Sequence, residues 1–365
     1  MRVGQSLFRR TAMSKVARKL GEGKREMWVT SKDAAFVGLD VHKVSVHAAL
    51  MVNGEIMKTW AMPAKKEVIA ASLAPYKAAL KGVAYEAGPT GFSLARHLIG
   101  LGYKVKVVAP SKMRRPSGPQ SKSDRLDCRM LARDLARGDM VAVAIPTPTQ
   151  EADRQVMRLR GQCLAKVKRA KQQIKSFLLQ HGIEEPHGLA HWTNESVRGL
   201  GALKLNAQLR FCLDRLLEEL AYLRGELKSI EDHLAGLART PRLRKSVAAL
   251  DAHAGVGPVT AMAFALEVFN PERFRDGKGI GGYTGLAPKV SQTGATRREG
   301  PLMKTGRGEL RALLVEASWR WVAQDAHARQ LFGHLARNTG SKQKAIVGVA
   351  RHLSIQLWKR LLQAA

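Results

Sequence analysis

The dipeptide Asn53-Gly54, flanked by the alternating apolar stretches Val44 to Val52 and Glu55 to Met62, constrains the fold more than any other feature of the chain. A two-residue loop of this composition takes positive φ at both positions and turns one strand tightly back on the next. The apolar run Ala35-Phe36-Val37-Gly38-Leu39-Asp40 precedes it and adds a third strand, giving an antiparallel meander. Beyond the meander the pattern alternates. It predicts a helix over Lys66 to Lys81, a buried strand Gly82-Val83-Ala84-Tyr85-Glu86, a helix from Gly91 to Leu101 and a strand from Lys104 to Ala109.

Three antiparallel strands followed by helix and strand in turn predict an α/β sheet of the ribonuclease H kind, with its chemistry where strand ends converge. Two acids mark such ends. Asp40 closes the first strand and Glu86 the fourth, each followed by turn residues, and neighbouring strands would bring the two carboxylates together. Asp124 and Asp127 stand three apart in a segment where Leu126, Met130, Leu131 and Leu135 recur with helical spacing, so they share one helix face. Carboxylates held this close raise one another's proton affinity unless a cation compensates, and hard oxygen donors suit Mg²⁺ or Mn²⁺. Singly, each acid reads first as structural, a turn cap or an ion pair with a nearby arginine; the joint pattern carries the metal reading.

The formal net charge of +31, from 61 Lys and Arg against 30 Asp and Glu, points to a polyanionic partner. Nucleic acid is the first candidate, because each phosphate contact releases condensed counterions. No apolar stretch reaches the roughly 20 residues that cross a bilayer, so no membrane partner is expected. Cys128, Cys163 and Cys212 are odd in number and widely spaced, which fits neither a disulfide framework nor a zinc cluster and predicts buried, reduced thiols in a cytoplasmic protein. Residues 1–33, irregular and basic, read as a disordered leader without chemistry.

Pro146-Thr147-Pro148-Thr149 reads as a linker between an α/β domain over 34–146 and an all-α remainder. The remainder divides into a helical coiled-coil segment over 150–240 and a carboxy-terminal domain over 245–365. From Arg154 to Lys175 the chain is cationic and free of acids, with Val156, Leu159, Cys163, Val167, Ile174 and Phe177 as its apolar stripe; it is either a phosphate-tracking helix or a solvated face. Leu209, Leu213, Leu216, Leu220, Leu223, Leu227, Ile230, Leu234 and Leu237 alternate steps of four and three, the seam of a coiled coil that pairs within the chain or between subunits. His187 and His191, with no carboxylate or cysteine to complete a site, read as surface residues.

Farther on, Gly255-Val256-Gly257-Pro258 at a helix start resembles a helix-hairpin-helix turn, whose backbone N–H groups around Gly255 and Gly257 can hold a phosphate or simply cap the helix. Trp319 and Trp321 lie on an apolar helix from Ala312 to Trp321 and suit the core or base stacking.

Three segments resemble the successive motifs of the DEDD transposases of the insertion-sequence "one-ten" family: Gly38-Leu39-Asp40-Val41-His42-Lys43, Tyr85-Glu86-Ala87-Gly88-Pro89-Thr90-Gly91, and Lys122-Ser123-Asp124-Arg125-Leu126-Asp127 followed by Leu131-Ala132. The resemblance continues through Gly282-Tyr283-Thr284-Gly285 and Lys304-Thr305-Gly306-Arg307-Gly308-Glu309-Leu310-Arg311. It implies a RuvC-like amino-terminal domain in which Asp40, Glu86, Asp124 and Asp127 bind Mg²⁺. It also implies a second domain whose serine, just before a glycine, attacks the scissile phosphate. Here Thr293 stands before Gly294 and Ser291 lies two residues earlier, so either hydroxyl is a candidate nucleophile. Lys304, Arg307 and Arg311 then become candidates to hold the transferring phosphate. The family further implies DNA cut and rejoined in a bacterial cytoplasm, action at the nucleoid, a structured guide RNA, and a dimer or tetramer. Two other classes stay open on residues alone: a RuvC-like junction nuclease that hydrolyses through activated water, and a non-enzymatic nucleic-acid binder.

Overall fold

Asn53 (φ 49°) and Gly54 (φ 96°) form the tight turn that the sequence demands, with the Asn53 side chain donating to Asp33 at 2.8 Å and accepting from the Ala34 N–H at 3.1 Å. The computed structural model describes residues 29–109, 124–293, 296–304 and 306–364, so the basic leader lies almost wholly outside it. The chain divides into two compact units between Pro146 and Thr147.

The first unit holds a five-stranded mixed sheet. Its elements are β1 (Ala35–Val41), β2 (Ser45–Val52), β3 (Glu55–Pro63), α1 (Lys66–Leu73), β4 (Leu80–Glu86), α2 (Ser93–Gly100), β5 (Val105–Val108) and α3 (Asp124–Arg137). Strands are ordered β3-β2-β1-β4-β5; β2 runs antiparallel to both β1 and β3, and β4 lies parallel to both β1 and β5. Leu39, Leu50, Ile69, Leu73, Tyr85 and Leu98 are fully buried between the sheet and its helices. The helix expected to reach Lys81 stops at Leu73. Pro75 lacks the N–H that would continue the α-helical ladder, so the chain tightens into a 3₁₀ turn over Ala74–Tyr76 and re-enters the sheet at Leu80.

On the sheet, α3 lies across β1 and β4 with Cys128, Leu131, Ala132 and Leu135 buried. Gly38 is where the two backbones meet, since a Cβ there would strike the Cys128 carbonyl and come within 2.6 Å of the Ala132 nitrogen. Leu135 sits over Gly82, 3.4 Å from where a Cβ would stand. In register, Gly82 pairs with Phe36 and precedes Ala84, the partner of Gly38. Thus α3 runs antiparallel to β1 and β4, with its amino terminus toward their carboxyl ends.

The second unit is mostly helical: α4 (Pro148–Gln180), α5 (Asn194–Gly201), α6 (Ala207–Ala238), α7 (Pro241–Asp251), α8 (Pro258–Val268), α9 (Gly277–Tyr283), a ribbon of β6 (Pro288–Thr293) and β7 (Thr296–Leu302), then α10 (Gly308–Gln324), α11 (Ala326–Thr339) and α12 (Lys342–Ala364). The stretch read as a linker opens α4 instead. Thr147 and Gln150 form a reciprocal capping box, and Pro148 takes the first helical position, where a missing N–H costs nothing. Along α6 the seam residues Leu213, Leu220 and Leu223 are buried with Val167, Ile174 and Leu178 of α4, so this seam packs within the chain. Ile230 and Leu234 continue into the core of α7, α8, α10 and α12.

Three smaller expectations fail. Leu159 is 48% exposed and off the α4 stripe, Cys212 is exposed on α6 while Cys128 and Cys163 are buried, and the β6–β7 ribbon has no counterpart in the sequence reading. Trp321 is core, whereas Trp319 is exposed with its ring 5.4 Å from Phe332. Among the described residues no helix is long and apolar enough to cross a membrane.

Candidate active site

The two strand-end acids fall next to each other because β1 and β4 run parallel. Leu39 lies beside Tyr85, so Asp40 and Glu86 are the next residues along the two strands. A turn then folds His42 back, its N–H donating to the Ser45 carbonyl at 3.0 Å, which sets His42 Nε2 3.0 Å from Asp40 Oδ2. The Asp40 side chain keeps only 15% exposure, and across the antiparallel edge it faces His47. Cys128 lies close to it: burial first, and the Asp40 charge second, push that thiol up to about 11.

The direction of α3 carries its first turn to the same end of the sheet. Four helical residues, about 6 Å of rise, lead from Cys128 back to Asp124; two strand residues, about 7 Å, lead from Gly38 to Asp40. Asp127 is half-buried beside Cys128. The side chain of Asp124 lies outside the described residues, and so do Lys122 and Ser123. Among the described residues no three His, Cys, Asp or Glu gather closely enough to hold a metal ion. The chemistry of the donor set nevertheless fits one: Asp40 and Glu86 are carboxylates at one sheet end, with Asp127 in the first turn of α3, the hard donors that Mg²⁺ and Mn²⁺ take.

In the second unit, Ser291 pairs with Arg298 and Thr293 with Thr296 across the ribbon, which puts Thr293 last before the turn. Side chains from 290 to 299 and the residues 294, 295 and 305 lie outside the described part. Lys304 has positive φ (50°), and Gly306 (φ 69°) presses so close to the Tyr283 carbonyl that a Cβ could not fit. Arg307, the N-cap residue of α10, reaches Glu267 at 3.3 Å and Glu309 at 3.2 Å. Arg311 lies one turn into α10, half-buried.

Gly255 (φ 81°) is wedged against α10, where a Cβ would lie 2.7 Å from the Ala317 carbonyl. Gly257 caps α8 and meets no such wall; with Gly255, Arg160, Glu316 and Arg320 it lines a cleft of about 240 Å³. Packing therefore accounts for the first glycine, and the second sits at an open helix start.

Sequence reasoning passed over His42 and Glu267. Glu267 is 5% exposed near the end of α8, the most apolar helix in the chain, and accepts from Arg154 at 2.7 Å. An acid inside so apolar a run was the signal, because a buried carboxylate requires a paired cation.

Comparison with known proteins identifies the class. A family model described as a transposase, of the DEDD type, matches residues 37–183, and a second, described as the transposase IS116/IS110/IS902 family, matches residues 247–333. A Sinorhizobium fredii protein bearing the name of a transposase is 32% identical over 292 residues, 79% of this chain and 72% of its own length. The transposase for insertion sequence element IS1533 of Leptospira borgpetersenii is 25% identical over 337 residues, 90% of this chain and 96% of its own. The transposase for insertion sequence element IS1328 of Yersinia enterocolitica is 28% identical over 244 residues, covering 65% and 69%. These matches define a DNA-cleaving enzyme, an insertion-sequence transposase. The chain belongs to the IS110/IS116 family of DEDD transposases.

Proposed function

We propose that the first unit is an RNase H-like (RuvC-like) nuclease domain whose Asp40, Glu86, Asp124 and Asp127 hold divalent metal, Mg²⁺ or Mn²⁺, against a scissile DNA strand. Support comes from the strand order β3-β2-β1-β4-β5 and above all from the parallel register that makes Asp40 and Glu86 neighbours. The metal, when bound, supplies charge that stabilises the attacking and leaving oxygens of a phosphodiester. The protein's part is to hold the carboxylates ionised and oriented. His42 hydrogen-bonds one Asp40 oxygen, and the antiparallel α3 brings Asp127 to the same sheet end.

Ser291 or Thr293 supplies the hydroxyl. Its oxygen attacks phosphorus, its proton leaves, and the displaced strand oxygen is protonated; rejoining runs the same exchange in reverse with another strand. Lys304, Arg307 and Arg311 bind the phosphate under transfer, and the turn at Gly255 and Gly257 contacts backbone phosphates. On this reading the chain works as a dimer or tetramer in the bacterial cytoplasm, at the nucleoid, with residues 34–146, 150–240 and 245–365 as metal-binding domain, coiled-coil segment and transposase domain. A guide RNA completes the proposal, resting on the family resemblance and on the net charge of +31.

The test compares Asp40→Asn with a Ser291→Ala/Thr293→Val double variant in strand-cleavage and strand-transfer assays. Both are expected to bind DNA. The first loses cleavage and transfer. The second loses transfer and the covalent protein–DNA link; a double variant that still recombines refutes the hydroxyl role, and an active Asp40→Asn refutes the metal site.

A further inference from the structure

Glu267 organises a cluster of arginines of which the proposed chemistry uses only Arg307. Its Oε2 accepts from Arg154 Nη2 at 2.7 Å and its Oε1 faces Arg307 Nε at 3.3 Å, while Arg307 also reaches Glu309. The Glu309 side chain packs where a Cβ on Gly161 would stand, so the first turn of α10 lies directly on α4. Arg154 is further fixed by the Phe269 ring, 5.3 Å from its guanidinium carbon.

Arg158 stands one helical turn beyond Arg154 on α4 and is treated differently. Both Nε atoms are buried without an acceptor, but Arg154 places Nη2 on Glu267, whereas Arg158 makes no hydrogen bond or ion pair among the described residues. Burial first, then the Arg307 and Arg154 guanidinia, draw its pKa below the ordinary value, against the opposing charges of Glu267 and Glu151. A half-buried guanidinium held among like charges is costly unless something anionic meets it. Its planar donor fork matches two phosphate oxygens, whereas Arg154 and Arg307 have already committed donors to Glu267.

We infer that Arg158, one turn from Arg154 on α4 and close to Arg307 and Glu267, is a phosphate-binding residue that grips the backbone of a nucleic-acid strand. The inference rests on the nucleic-acid reading above, and Arg158 itself is not among the residues assigned there to cleavage or transfer. Phosphodiester oxygens are common to DNA and RNA, so the contact is independent of sequence.

The experiment measures binding of the full-length chain to a DNA duplex of arbitrary sequence, and to an RNA duplex, across a salt series. Arg158→Ala is expected to weaken binding roughly tenfold at low salt and to flatten the log–log salt dependence by about one, while Arg158→Lys keeps the slope. Arg215→Ala, which removes an exposed arginine paired with Glu218, leaves both unchanged. Loss on DNA alone or RNA alone names the strand that is gripped; wild-type affinity and slope in Arg158→Ala on both overturn the site. Arg158→Gln serves if the alanine variant fails to fold. Inorganic phosphate at constant ionic strength separates this inference from the broader reading. If the wild type ignores both duplexes, yet phosphate raises its melting temperature more than that of Arg158→Ala, the anion site stands and the nucleic-acid reading fails. Equal responses to phosphate overturn the site.

Discussion

The two units treat a carboxylate in opposite ways. In the helical unit Glu267 is sealed at 5% exposure and met by two arginines, so its charge is consumed in holding α4, α8 and α10 together. In the sheet unit Asp40 is also sheltered, yet it pairs with a histidine and lies beside another acid and a thiol. Residue type alone therefore says little. A carboxylate saturated by guanidinium is a structural tie, whereas carboxylates gathered at one sheet end can accept a metal.

The contrast breaks most easily at activity. Asp40→Asn or Glu86→Gln is expected to reduce strand cleavage by at least about 10²-fold, with DNA affinity unchanged or raised because a repulsive charge is gone; a gel assay for nicked product checks it. Glu267→Gln is expected to act on stability instead. Stranding Arg154, and leaving Arg307 with Glu309 alone, should cost about 3 kcal/mol, visible as a lower denaturation midpoint, while Asp40→Asn leaves that midpoint where it was or higher.

Gly38→Ala sharpens the same comparison inside the sheet unit. A methyl group driven into the α3 backbone should cost about 1–3 kcal/mol and lower cleavage too, because α3 carries Asp127. Gly255→Ala, strained by its positive φ and crowded by α10, should destabilise by a similar amount. Differential scanning calorimetry compares the two.

The smallest expected effect concerns Cys128. Its folded pKa of about 11 lies above the ordinary thiol value of 9.0, so its contribution to stability is complete below about pH 9 and is lost as pH rises toward 11. Urea midpoints across that window should fall less in Cys128→Ala than in the wild type. Asp40→Asn removes the second cause of the shift, and Cys128 should then react faster with a thiol reagent at pH 9.

Much of this contrast was legible in the chain. Alternation and Asn53-Gly54 dictate the meander, and strand propensity leaves Asp40 and Glu86 at the ends of β1 and β4. What periodicity cannot convey is direction: that α3 runs back over β1 depends on the bare backbone of Gly38, a contact 90 residues distant in sequence from Cys128. The local turn that brings His42 onto Asp40 was likewise invisible, since it needs the Ser45 carbonyl as acceptor. Pro75 was readable as a helix stop and Thr147-Pro148 as a helix start, but apolar spacing in one case and proline content in the other pulled the reading elsewhere. Glu267 was misjudged by omission, because its partners come from α4 and from the residue preceding α10, far apart in sequence.

The most direct test is calorimetric titration of Mn²⁺ into the full-length chain, alongside Asp40→Asn and Glu86→Gln. The account predicts saturable binding by the wild type and its loss in both variants, with Glu267→Gln binding as the wild type does. Undiminished Mn²⁺ binding by Asp40→Asn would contradict it.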